Sequence, residues 1–71
     1  MKKEYKLLSS ITGGINETFK TRDELKERFD YIKENKEEFK NNSMIYAYVN
    51  IYNENDKIKD SKTLGIIDFN K

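Results

Sequence analysis

The chain contains no cysteine, so neither a disulfide nor a thiolate metal site can supplement its core. It contains no histidine either, which removes the commonest general base and the commonest transition-metal ligand. Arginine is scarce: two of the 14 basic residues are Arg and the other twelve are Lys. Bidentate contacts to phosphate or guanine are correspondingly few. Long apolar runs are missing too. The opening MKKEYKLLSS begins with lysines as a secretory signal would, but its apolar run is far too short for one. No window approaches a membrane span. The expected location is cytoplasmic, with no membrane partner. Proline and tryptophan are also absent; with abundant Lys, Asn and Ile, this is the composition of an AT-rich bacterial or phage genome.

An excess of one charge is lacking as well. Fourteen basic residues stand against 13 acidic ones, for a net charge of +1. A polyanion binder would gather a Lys/Arg surplus on one face, and an acidic mimic of DNA would show the reverse. What remains is 71 residues, one small domain near the lower limit at which a single core holds a chain folded. Apolar burial, or a partner that adds to it, must supply the stability.

The pattern of those residues specifies a fold. Glu4 to Phe19 forms a hairpin interrupted by Thr12-Gly13-Gly14. A three-residue loop there pairs Ile11 with Ile15, Ser9 with Glu17 and Leu7 with Phe19. That register places Tyr5, Leu7, Ile11, Ile15 and Phe19 on one face, whereas a Gly-Gly turn would scatter them. Next, Thr21 and Glu24 form a capping box, with Asp23 and Glu24 in the first turn where the helix dipole favours anions. Leu25, Phe29, Ile32 and Phe39 recur at helical spacing, with Lys36 interrupting the stripe, and Asn41-Asn42 ends the helix. Glu24 with Arg28 and Lys33 with Glu37 are expected as ion pairs one turn apart on its solvent side. After it, SMIYAYVNIYN alternates: Ile45, Ala47, Val49 and Ile51 face inward, with Tyr46, Tyr48, Asn50 and Tyr52 outward. NENDKIKDSK, residues 53–62, reads as a solvated loop, and TLGIIDF as a last strand of which either face could be buried.

The expected architecture is α+β: a single ββαββ domain over residues 1–71. One helix, about residues 22–41, covers one face of a four-stranded, mainly antiparallel sheet. A right-handed crossover gives the spatial order 2-1-3-4.

Motifs that carry chemistry fail on inspection. Gly13-Gly14 lacks the Gly-Lys-Ser/Thr ending of a phosphate-binding loop, and no helix follows it directly. Asn53, Asn55 and Asp60 resemble a calcium loop only faintly, for no glycine stands at its sixth position and Leu64 occupies its twelfth. Glu24-Leu25-Lys26 and Glu38-Phe39-Lys40 match half of a nuclease signature but lie on a helix, where they are solvated charges. Two formal glycosylation sequons, at Asn16 and Asn41, carry no meaning without secretion. Glu17 is the one acid placed on the covered face of a strand, and a lone acid there is a structural contact. No catalytic, cofactor-binding or metal-binding residue is assigned, and no enzymatic activity is expected.

The tyrosines remain. They suit an open sheet face for structural reasons, because Tyr favours strands and packs across them. Lys6, Leu8, Lys20 and Ile66 would lie beside them, with lysine stems covering ring faces. They also suit an interface, where Tyr offers rigid area and a hydroxyl. The expected function is therefore a non-enzymatic protein-binding module, with Tyr46, Tyr48, Asn50, Tyr52, Lys6 and Lys20 as its contact residues. In a phage or mobile element, it would inhibit or modulate a host defence protein. One alternative is single-stranded nucleic acid or nucleotide stacking on the same face, disfavoured by the neutral charge. Another is a homodimer that pairs through the edge of strand 4.

Overall fold

The computed structural model describes residues 2–70. Its elements in chain order are β1 (Lys2–Ser9), β2 (Asn16–Phe19), α1 (Arg22–Glu34), α2 (Lys36–Phe39), a 3-10 turn (Lys40–Asn42), β3 (Met44–Tyr52) and β4 (Ile58–Asp68). The strands form one sheet in the order β2-β1-β3-β4, and every neighbouring pair is antiparallel. This is the expected α+β architecture and strand order.

The core lies between the sheet and the helical layer. Leu7, Leu25, Ile32, Ile45, Ala47 and Ile67 are buried together, flanked by half-buried Tyr5, Ile15, Phe19, Phe29, Phe39 and Phe69. The stripe of α1 and α2 thus meets the inward rows of the strands, as the periodicities require. The last strand is also settled: Ile67 is buried, while Ile66 stands 51% exposed on the opposite face. A glycine and an alanine make room for one ring of the helix. Ala47 pairs with Gly65 across β3 and β4, and a Cβ on Gly65 would lie 2.9 Å from the tip of the Phe29 ring. Those two small residues give Phe29 its seat on the sheet.

Three local expectations are corrected. First, β1 pairs with β2 as Tyr5 with Phe19 and Leu7 with Glu17, two residues away from the Leu7–Phe19 register. A shift of two preserves which face each side chain occupies, so the inward row survives, except that Ile11 moves into the loop and is 43% exposed. The cause is an anchor from the helical layer. Asn42 Oδ1 accepts the Ile15 N–H at 2.9 Å, and the Asn42 carbonyl accepts the Ser9 and Ser10 hydroxyls at 3.0 and 3.3 Å. A wider loop satisfies those groups, and Ser9 N–H then closes it on Ile15 O at 2.8 Å.

Second, the helix is interrupted. Thr21 caps it as expected, its hydroxyl accepting the Glu24 N–H at 3.2 Å. At Asn35, however, the side-chain amide donates to the Tyr31 carbonyl at 2.8 Å. The same carbonyl keeps the Asn35 N–H at 3.0 Å, so side chain and backbone of Asn35 close the turn together, and the chain leaves α geometry there, at φ −121° and ψ 45°. The charge pairs change with it. Arg28 does not serve Glu24; it reaches Glu17 on β2, with Nε and Nη2 donating at 3.0 and 3.3 Å. Glu37 pairs with Lys40 at 3.4 Å rather than with Lys33.

Third, β4 begins at Ile58, so residues 58–62 are strand rather than loop. The turn before it is short. Asn53 N–H donates to Lys57 O at 2.9 Å, Asn53 Oδ1 accepts the Asn55 and Lys57 N–H groups, and Asp56 takes a left-handed φ of 60°. A polar strand holds its place here because it is an edge, where charged side chains meet water on both faces.

Candidate functional site

The helical layer leaves the other face of the sheet open. Because alternate residues share a face, cross-strand pairing places each outward side chain. Tyr46 stands between Leu8 of β1 and Ile66 of β4; Tyr48 between Lys6 and Thr63; Asn50 between Glu4 and Ser61; and Tyr52 between Lys2 and Ile58. Of the predicted contact residues, Lys6, Tyr46, Tyr48, Asn50 and Tyr52 therefore come together. Lys20 does not join them, for it follows β2 and is separated from β3 by β1.

The face divides into two halves of different chemistry. At one end its polar groups are already engaged with one another. The Tyr52 hydroxyl donates to Glu4 Oε1 at 3.0 Å, and the Lys2 ammonium lies 5.5 Å from the Tyr52 ring centroid. Asn50 is only 8% exposed, and its Oδ1 accepts the Ser61 hydroxyl at 2.7 Å. These contacts hold β1, β3 and β4 in register, a structural use of two residues that the alternation alone had assigned to a partner. Glu4, Ser61 and Lys2 were not foreseen in that role. Their only signal in the sequence is parity, which becomes usable once the register is known.

At the other end the side chains are apolar and less engaged. Leu8 is 37% exposed and Ile66 51%, on either side of half-buried Tyr46. Among the described residues the Tyr46 hydroxyl reaches only the Met44 sulfur, at 3.7 Å, a weak acceptor. The Tyr48 hydroxyl has no hydrogen-bond partner among the described residues.

The Tyr52–Glu4 contact leaves a pH signature. The hydrogen bond to the carboxylate raises the phenol above its ordinary value of 10.0. A group whose folded value is raised contributes stability below its unfolded pKa and loses it as pH rises through the folded value. Tyr52→Phe is therefore expected to delete a phenol that titrates above its ordinary value from the alkaline absorbance titration and to flatten the fall of stability above pH ~10. An unchanged alkaline profile would show that the contact does not persist in solution.

The other side of the molecule offers little chemistry. Arg28 is clamped between Glu17 and the rings of Tyr31 and Phe39, whose centroids lie 5.3 and 5.4 Å from its guanidinium carbon. Its hydrogen bond to Glu17 raises an already high pKa, so the pair is a fixed ionic strut between α1 and β2. A shallow groove of about 210 Å³ runs between α1 and β4, floored by Ala47 and Gly65 and walled by Leu25, Phe29 and Leu64. Among the described residues, no group of three or more Asp and Glu is placed to hold a metal ion. Among the same residues, no helix is long and apolar enough to cross a membrane.

Neither a family model, nor a curated protein, nor a solved structure matches the chain. Its function has to be argued from its own surface.

Proposed function

We propose that the chain is a non-catalytic protein-binding module whose contact surface is the apolar end of the open sheet face. The observation that carries this is the row Leu8–Tyr46–Ile66, which crosses three strands and leaves its two aliphatic members 37% and 51% exposed. Contiguous apolar surface on a small domain favours contact with another molecule. Tyr46 supplies rigid area at the centre of the row, while Tyr48 and Lys6 add hydrogen-bond donors at its margin. The partner that fits is a protein surface with an apolar centre and acceptors around it. Bound there, a chain without chemistry of its own acts by covering what it touches, which suits an inhibitor or modulator of another protein.

The test is capture from a lysate of the source organism, compared with the variant Tyr46→Ala/Tyr48→Ala. Truncating central aromatic contacts is expected to weaken capture of a specific protein at least ~tenfold. The variant's melting transition should remain cooperative, because the core lies on the opposite side of the sheet. Capture that survives the double substitution, or a variant that unfolds, would overturn the reading. If short oligonucleotides are retained instead, with affinity falling steeply in salt, the face belongs to nucleic acid.

A further inference from the structure

Strand β4 carries a second, separate surface. It is the edge of the sheet beyond β3, and Ile58 through Leu64 are all exposed. The run reads Ile-Lys-Asp-Ser-Lys-Thr-Leu. Lysines and bulges usually blunt an edge against pairing. Register shifts do bracket this run, near Ile51/Tyr52 and Ala47/Tyr48, leaving Asp60 to Thr63 in regular pairing with Ile51 to Tyr48. Within that regular stretch, however, the two charges on the same face of the strand have opposite signs.

We propose that β4 pairs antiparallel with β4 of a second copy of this chain, about a two-fold axis through Ser61. In a two-fold pairing that continues the sheet, directly opposed residues lie on the same face. They must therefore share parity, and the axis passes through a residue. An axis at Lys59, Asp60 or Lys62 sets a charge against its own copy. One at Thr63 or Leu64 carries the pairing across the register shift beside Leu64, beyond which residue parity no longer marks the face. The axis at Ser61 alone places Asp60 opposite Lys62, and does so twice by symmetry. Opposite charges across a strand pair stabilise it and like charges oppose it, so the same residues that block other registers select this one.

The product is an eight-stranded sheet with both helical layers on one side. The two open faces then lie together on the other side, as a doubled surface. The pairing does not require that surface to bind anything.

The experiment is sedimentation equilibrium across a concentration series up to ~1 mM, the weak limit for a specific contact. The native chain is compared with Asp60→Lys, with Lys62→Asp, and with the two combined. The native chain should dimerise; each single reversal places two like-charged pairs in the interface and should raise Kd by about tenfold or more. The double reversal restores opposite signs and should return Kd to near the native value. A native chain that stays monomeric throughout overturns the proposal. So does a dimer indifferent to single reversal, or one that the double reversal fails to restore. Amide exchange on the native chain provides a check independent of variant folding: residues 59–63 should exchange more slowly as concentration rises, and exchange independent of concentration would count equally against the pairing.

Discussion

A Gly14→Ala chain is expected to melt about 10–25 °C below the parent, for a loss of about 2–4 kcal/mol. A Cβ on Gly14 would lie 2.6 Å from Ser9 Cβ and 2.5 Å from Asn42 Oδ1. Neither atom can yield cheaply. Ser9 is 6% exposed and its hydroxyl donates to the Asn42 carbonyl while accepting the Ile11 N–H at 3.2 Å. Asn42 Oδ1 holds the Ile15 N–H, and its amide donates to the Phe39 carbonyl at 2.9 Å. Moving either group breaks a buried hydrogen bond as well as crowding the packing. The neighbouring glycine supplies the control. Gly13 has φ +84° and nothing within 4 Å of where a Cβ would stand, so Gly13→Ala meets only the cost of a left-handed residue, roughly 1–2 kcal/mol. Thermal melts of the two variants side by side decide the matter. If Gly14→Ala melts no lower than Gly13→Ala, the Ser9–Asn42 contact is not the anchor described.

That anchor also explains which parts of the fold were legible in the sequence. Alternation in Ile45, Ala47, Val49 and Ile51 and helical spacing in Leu25, Phe29, Ile32 and Phe39 are local patterns. They identify the elements and the buried faces without any knowledge of partners. The register of the first hairpin is not local, because Asn42 bonds to a backbone group 27 positions earlier. Hydrophobic parity selects the right face but leaves two registers of the same parity equivalent. The break at Asn35 is hidden for a similar reason: Lys36 marks a gap in the apolar stripe, but a side-chain amide that shares a carbonyl one turn back with the backbone leaves no periodic trace.

Residues 58–62 look like a loop in the sequence because an edge strand wet on both faces has no alternation to detect. Only the pairing of Ile51 with Asp60 and Asn50 with Ser61 makes them a strand. The candidate site shows the same division. Parity brought Tyr46, Tyr48, Asn50 and Tyr52 to one face, whereas their separation into an engaged half and an available half depends on Glu4 and Ser61. Those partners are visible only across the strands.

The core itself sets the largest expected loss. Ile32→Ala is expected to cost about 2–5 kcal/mol, against a total stability of about 4–10 kcal/mol for a domain of this size. Ile32 is 0% exposed and sits within the cluster of Leu7, Leu25, Ile45, Ala47 and Ile67. Because α1 lies on one face of the sheet without a second layer beyond it, nothing can collapse into the vacated volume without lifting the helix. Ile32→Val removes one methylene and should cost only about 0.5–1.5 kcal/mol. Denaturant titration of both variants measures the difference, and equal midpoints would mean that the helix repacks freely. With no cysteine in the chain, no disulfide limits the unfolded state, so the alanine variant lies close to its folding threshold. That makes it a sensitive reporter of binding. Anything that engages only the folded form raises its midpoint by mass action, whether the open face or the β4 edge is engaged. Self-pairing through β4 would make that midpoint rise with protein concentration, and Lys62→Asp would flatten the rise. A partner on the Tyr46 face would raise it in a chain that also carries Lys62→Asp, and would fail to do so once Tyr46 and Tyr48 are alanine.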